Sequence, residues 1–108
     1  MEIYMEYKGK ETCKEYLHEV TSEKAKLYKR FIAGDEEVFE QLMDCLEVTQ
    51  ETYRGEVYIR VLITTGGPGC WVSVYEDKCV GYCVWGSDRY RRVLGKVETR
   101  AFQMIAGI

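Results

Sequence analysis

Glu56-Val57-Tyr58-Ile59-Arg60-Val61-Leu62-Ile63-Thr64-Thr65 is the stretch on which the fold turns. Val57, Ile59, Val61 and Ile63 alternate with Tyr58, Arg60, Leu62 and Thr64, and a period of two sends successive side chains to opposite faces of a strand. Gly66-Gly67-Pro68-Gly69 interrupts that alternation as a hairpin connection whose glycines accept positive φ. Cys70 to Tyr75 then reads as a second strand and Cys79 to Trp85 as a third, with Asp77-Lys78 as the tight turn between them. A two-residue loop there predicts Glu76 opposite Cys79, Val72 opposite Cys83 and Cys70 opposite Trp85. One face carries Cys70, Val72, Val74, Cys79, Gly81, Cys83 and Trp85, a thiol-and-valine surface suited to a packed helix. The other carries Trp71, Ser73, Tyr75, Val80, Tyr82 and Val84, and is expected to be partly exposed. Gly86-Ser87-Asp88 ends the meander, Tyr90 to Leu94 offers a fourth strand, and Glu98 to Ile105 a short terminal helix.

Upstream of Gly55 the period is that of a helix. Cys13, Tyr16, Leu17, Val20, Leu27, Tyr28, Phe31 and Ile32 fall three, four and seven apart, with Ser22 a candidate N-cap for a restart near Thr21-Ser22. Gly34 suits the position after a helix end. Asp35 suits the start of the next, with Glu36 and Glu37 in its first turn. Val38, Phe39, Leu42, Met43 and Leu46 give that second helix an apolar side. The expected fold is α+β: N-terminal helices packed on a three- to four-stranded antiparallel sheet, with a short C-terminal helix. At 108 residues the chain is one domain, mainly helical over 1–55, a β-meander over 56–95 and a short helix over 96–108.

Catalytic chemistry finds little to stand on. The chain has one histidine, His18, and no asparagine, so any nucleophile–histidine arrangement must use a residue set in a charged helical stretch. No Gly-x-Ser-x-Gly elbow occurs. Gly66-Gly67-Pro68-Gly69 lacks the Gly-Lys-Ser/Thr of a phosphate-binding loop. The five cysteines leave a structural zinc open, although no C-x-x-C occurs. Cys79 and Cys83 stand about 13 Å apart along a strand and cannot share one ion. Cys70 and Cys83 on adjacent strands could approach, with Cys13, His18 or Cys45 arriving from the helices. Small buried hydrophobes are the simpler reading of the thiols, and no cofactor is predicted. The N-terminus shows no secretory pattern, and no apolar run nears the ~18–20 residues of a membrane span. A soluble cytoplasmic protein with reduced thiols is therefore expected.

The net charge of −3 conceals a polarity. Residues 1–56 hold 14 acids and 8 bases, whereas residues 57–108 hold 4 acids and 7 bases. Glu11, Glu15, Glu19 and Glu23 recur every four residues, and Glu36, Glu40, Asp44 and Glu47 at four, four and three. Each helical step of four climbs about 6 Å, so each series predicts a stripe of carboxylates able to occupy a basic channel built for nucleic acid. An ordinary solvated helix face is the competing reading, with Lys10, Lys14, Lys24, Lys26 and Lys29 neutralising the first stripe. At the other pole, Arg60, Arg89, Arg91 and Arg92, with Trp71, Tyr75, Tyr82 and Tyr90, form a basic-aromatic patch. Such a patch suits a protein interface or single-stranded nucleic acid, and the modest total charge favours the first.

Val61-Leu62-Ile63-Thr64-Thr65-Gly66-Gly67-Pro68-Gly69, followed by Val84-Trp85-Gly86-Ser87-Asp88-Arg89, resembles small uncharacterised proteins of phages and mobile elements. Those proteins carry a similar TTGGP hairpin and an aromatic-Gly-x-Asp-Arg turn. The likeness spans roughly residues 57–90. By association it implies an anti-CRISPR or anti-restriction inhibitor acting in the cytoplasm of a bacterial host, with a protein partner such as a CRISPR effector nuclease. No catalytic residue is implied. Blockade of nucleic-acid loading through the acidic helices or the Tyr/Arg sheet face is the expected mechanism. Reversing Glu15, Glu19, Glu40 and Asp44 to lysine is then expected to abolish it. A small nucleic-acid-binding regulator and a zinc-stabilised interaction domain are the alternatives.

Overall fold

Thr12 opens the chain's long helix with a reciprocal cap. Its hydroxyl accepts the Glu15 N–H at 3.1 Å while the Glu15 carboxylate accepts the Thr12 N–H at 3.2 Å, satisfying donors that a helix start otherwise strands. The computed structural model describes residues 12–65 and 68–108. From this cap α1 runs over Cys13–Ile32 without interruption. The restart expected at Thr21-Ser22 does not occur: α1 passes through both residues, and the buried Thr21 hydroxyl donates back to the Leu17 carbonyl at 2.9 Å instead of capping a new start. Gly34 at φ 109° and the Asp35 cap on the Glu37 N–H follow as expected.

The second helix is the main departure. A 3-10 turn over Glu36–Val38 leads into α2, only Phe39–Met43. Val38 and Leu42 are buried, whereas Phe39 and Leu46 remain exposed. Lys24 of α1 ends the helix: its ammonium donates to the carbonyls of Gln41, Leu42 and Asp44 at 2.7, 3.0 and 2.7 Å. A cation at a helix C-terminus satisfies orphan acceptors and the dipole together. Lys24 therefore points inward, toward the end of α2.

Residues 47–53, expected in the helical half, form β1 (Glu47–Tyr53). Val48, Thr49, Thr52 and Tyr53 are strand-forming types, and Arg54 (φ 51°) and Gly55 (φ 82°) supply the two positive φ values of a type I′ hairpin. The sheet continues as β2 (Glu56–Thr64), β3 (Gly69–Val74), β4 (Cys79–Trp85) and β5 (Asp88–Val93). It has five antiparallel strands in sequential order, not three or four. α3 (Lys96–Ala106) closes the chain.

The β3–β4 register corrects the expected one. Val74 faces Cys79, Val72 faces Gly81 and Cys70 faces Cys83. The Tyr75 N–H donates to the Lys78 carbonyl at 2.8 Å, so the turn is Glu76-Asp77, one residue earlier than Asp77-Lys78. The resulting slip in pairing is even, which leaves every side chain on its expected face.

All three helices pack on the same side. The core joins Cys13, Tyr16, Leu17 and Val20 of α1 and Phe102 and Ile105 of α3 to Val61, Ile63, Cys70, Val72, Val74, Cys79 and Cys83 of the sheet. Trp85, expected on this face, is exposed at the strand end. Gly81 admits α1 closely: a Cβ there would meet both δ-carbons of Leu17 at 3.2 Å. A buried network ties the far end. Arg92 donates to Glu98 at 2.9 and 3.0 Å and to the Thr21 hydroxyl at 3.1 Å, while Glu98 also accepts the Gly95 N–H at 2.8 Å.

Candidate binding face of the sheet

With the helices gathered on one side, the strand period assigns the other side residue by residue. The register aligns Glu47, Leu62, Trp71, Tyr82 and Arg91 in one cross-strand row. The next row is Thr49, Arg60, Ser73, Val80 and Val93, and a third contains Glu51 and Tyr58. Ser73 and Val80 are buried at the centre, so this face is less open than the alternation alone suggests.

Aromatic side chains organise it. Trp71 and Tyr82 stack with centroids 5.3 Å apart and planes 14° from parallel, and Tyr58 and Tyr75 stack at 5.3 Å and 30°. The Arg60 guanidinium lies 5.1 Å from the Trp71 ring centre and the Lys78 ammonium 5.2 Å from that of Tyr75, cation–π distances in both cases. The Tyr75 phenol is pushed above its ordinary value by desolvation, then by Tyr82, Glu56 and Tyr58, with Arg91 opposing. A shallow cleft of about 330 Å³ is lined by the Trp71–Tyr82 stack together with Val84, Arg89 and Arg91.

Of the basic-aromatic residues expected to act together, Arg60, Trp71, Tyr75, Tyr82, Arg89 and Arg91 share this face. Tyr90 and Arg92 do not. They alternate with Arg89 and Arg91 along β5 and so turn toward the helices, Tyr90 against the core and Arg92 into the Glu98–Thr21 network. Tyr58, Glu47 and Glu51 join the face without having been expected there. The signal for β1 was the Tyr53-Arg54-Gly55-Glu56 turn between two runs of strand-forming residues.

The acidic series fare differently. Glu11 lies outside the described residues. Glu15, Glu19 and Glu23 share α1, where Glu15 serves as the capping-box carboxylate. The second series is dispersed: Glu36 sits in the 3-10 turn, Glu40 in α2, Asp44 at the α2 end, and Glu47 on β1 facing the open side. One helix was required for one stripe, and α2 is too short to supply it.

The thiols are core residues. Cys13, Cys70, Cys79 and Cys83 are fully buried, Cys45 is half-buried, and all five are free. Cys13 and Cys70 both reach the Cys83 thiol, and the Cys13 N–H donates to Asp88 at 2.8 Å. Burial pushes the Cys13 and Cys79 thiols up to about 12. Such thiols are poor nucleophiles and poor ligands. Among the described residues no group of three or more His, Cys, Asp or Glu side chains is arranged to hold a metal ion. His18 is exposed on α1, and no described helix is long and apolar enough to cross a membrane. No protein-family model, no curated protein and no solved structure matches this chain.

Proposed function

We propose that the protein is a non-catalytic binding module that presents the open face of its sheet to a macromolecular partner and thereby inhibits a host nucleic-acid-targeting defence complex. The observation that carries the binding reading is the placement of every described helix behind the sheet, which leaves Trp71, Tyr75, Tyr82, Arg60 and Arg91 together on the uncovered side. Stacked aromatics with arginines are the side chains that dominate binding hot spots. The Thr64-Thr65-Gly66-Gly67-Pro68 sequence, whose two glycines lie outside the described residues, resembles that of mobile-element proteins, and this resemblance suggests the biological setting.

The acidic-stripe route is not carried forward, since its second half does not share a helix and Glu15 caps α1. Reversing Glu15 with Glu19, Glu40 and Asp44 would weaken the fold as well as the charge, and is a poor test. The sharper experiment expresses the protein in bacteria whose CRISPR effector is programmed against a plasmid. Wild-type protein preserves the plasmid. The Trp71→Ala, Arg91→Glu variant, with an unchanged circular dichroism spectrum and melting temperature, loses that protection, and His18→Ala keeps it. Full protection by the folded double variant would sink the proposal.

A further inference from the structure

Resting on the binding role of the open face, we infer that its occupant is a short run of single-stranded nucleic acid, with one base seated in the cleft beside Tyr82. Arg60, Trp71 and Tyr82 already form a consecutive stack across three strands, with Arg60 5.1 Å from the Trp71 centre and the two rings 5.3 Å apart. Both rings of the stack line the cleft, and so do Arg89 and Arg91. A flat base laid in the cleft stacks on Tyr82, within reach of the exposed Arg91 side chain on the neighbouring strand. At about 330 Å³ the cleft lies at the small end of ligand sites, the scale of one nucleotide.

Arg89 and Arg91 are exposed, and among the described residues neither has an ion-pair partner. Two residues apart on one strand, they stand about 7 Å apart, comparable with the step between successive phosphates of an extended strand. Tyr75, four residues along the chain from Trp71, stacks with Tyr58 of β2 as a second platform, with Lys78 beside it. Glu47 and Glu51 on β1 repel phosphates and keep the track off that edge strand.

The test titrates the intact protein into fluorescein-labelled (dT)12, (U)12 and a 12-base-pair duplex, followed by fluorescence anisotropy at several salt concentrations. Both single strands should bind more tightly than the duplex, with a log–log salt slope near −2 for about three phosphate contacts. Tyr82→Ala should weaken binding about 10-fold or more. Arg91→Glu should weaken it and flatten the slope, whereas Lys26→Glu, the same charge change on exposed α1, should match wild type. In a Trp85→Phe background, Trp71 fluorescence should be quenched on binding. Absence of oligonucleotide binding, or binding untouched by Tyr82→Ala and Arg91→Glu, overturns the inference. If plasmid protection is nevertheless lost with Trp71→Ala, Arg91→Glu, the occupant is a protein surface and the binding role stands; if protection also persists, both readings fall.

Discussion

Lys24 shows how much one side chain decides. Only 8% exposed, it places three donors on the last carbonyls of α2 and so fixes where that helix stops. Lys24→Met keeps most of the apolar stem and leaves the three acceptors without their donor. We expect a loss of about 2 kcal/mol, read as a lower urea midpoint at unchanged m-value. Arg92 and Glu98 form the second such point. Desolvation raises the Glu98 carboxyl, but the Arg92 hydrogen bonds and the Gly95 N–H outweigh it and hold the group below its ordinary value. A carboxyl depressed in the folded state contributes stability above its unfolded value, and loses it as pH falls through the folded one. Glu98→Gln should therefore lower stability at pH 7 and flatten its decline on acidification below about pH 4, measured by urea midpoints from pH 7 to pH 3. Neither role was legible in the sequence, where Lys24 and Arg92 look like members of surface charge clusters. Which way each points depends on helix continuity and strand parity together.

At the scale of the element, the contact of α1 with β4 depends on Gly81. Strand propensity alone would reward valine there, so Gly81→Val separates propensity from packing. With both Leu17 methyls already at 3.2 Å from the site of a Cβ, we expect the variant to lose about 1–3 kcal/mol; a gain would show that α1 can retreat. The meander was largely legible because alternation over Val57–Ile63 survives any even slip in register. For that reason the mistaken turn at Asp77-Lys78 left the faces intact. β1 was not legible, since its outer position leaves Val48 and Tyr53 exposed and its pattern lacks a buried side. The site was half legible for a related reason. Sequence names arginines and tyrosines on β5, but one residue of parity decides whether each meets solvent or the core.

For the whole molecule, the buried thiols predict sensitivity to alkali. Cys13 and Cys79 are raised to about 12 from an ordinary value of 9.0, chiefly by burial, and Cys83 is raised as well, first by its hydrogen bond to Cys70 and then by burial. Groups raised in the folded state contribute stability fully below the unfolded value, and that contribution falls as pH climbs toward the folded one. Each thiol should therefore steepen the loss by about 1.4 kcal/mol per pH unit above roughly pH 9. Lys24, lowered by burial, acts in the opposite sense over its own range. Urea midpoints between pH 8 and pH 11 should fall steeply for wild type and less so for Cys79→Val; parallel curves would contradict the assignment.

The order of contacts along the chain also sets a timetable. Every strand pairing is between sequence neighbours, so the meander can assemble hairpin by hairpin. Two of α1's ties instead reach 71 to 75 residues downstream, Thr21 with Arg92 and Cys13 with Asp88. During synthesis at about 5–20 residues per second, α1 waits roughly 4–15 s for these partners on β5. Cys13 spends that interval as an ordinary reactive thiol on a nascent chain, and becomes inert only when translation of β5 lets the helix dock.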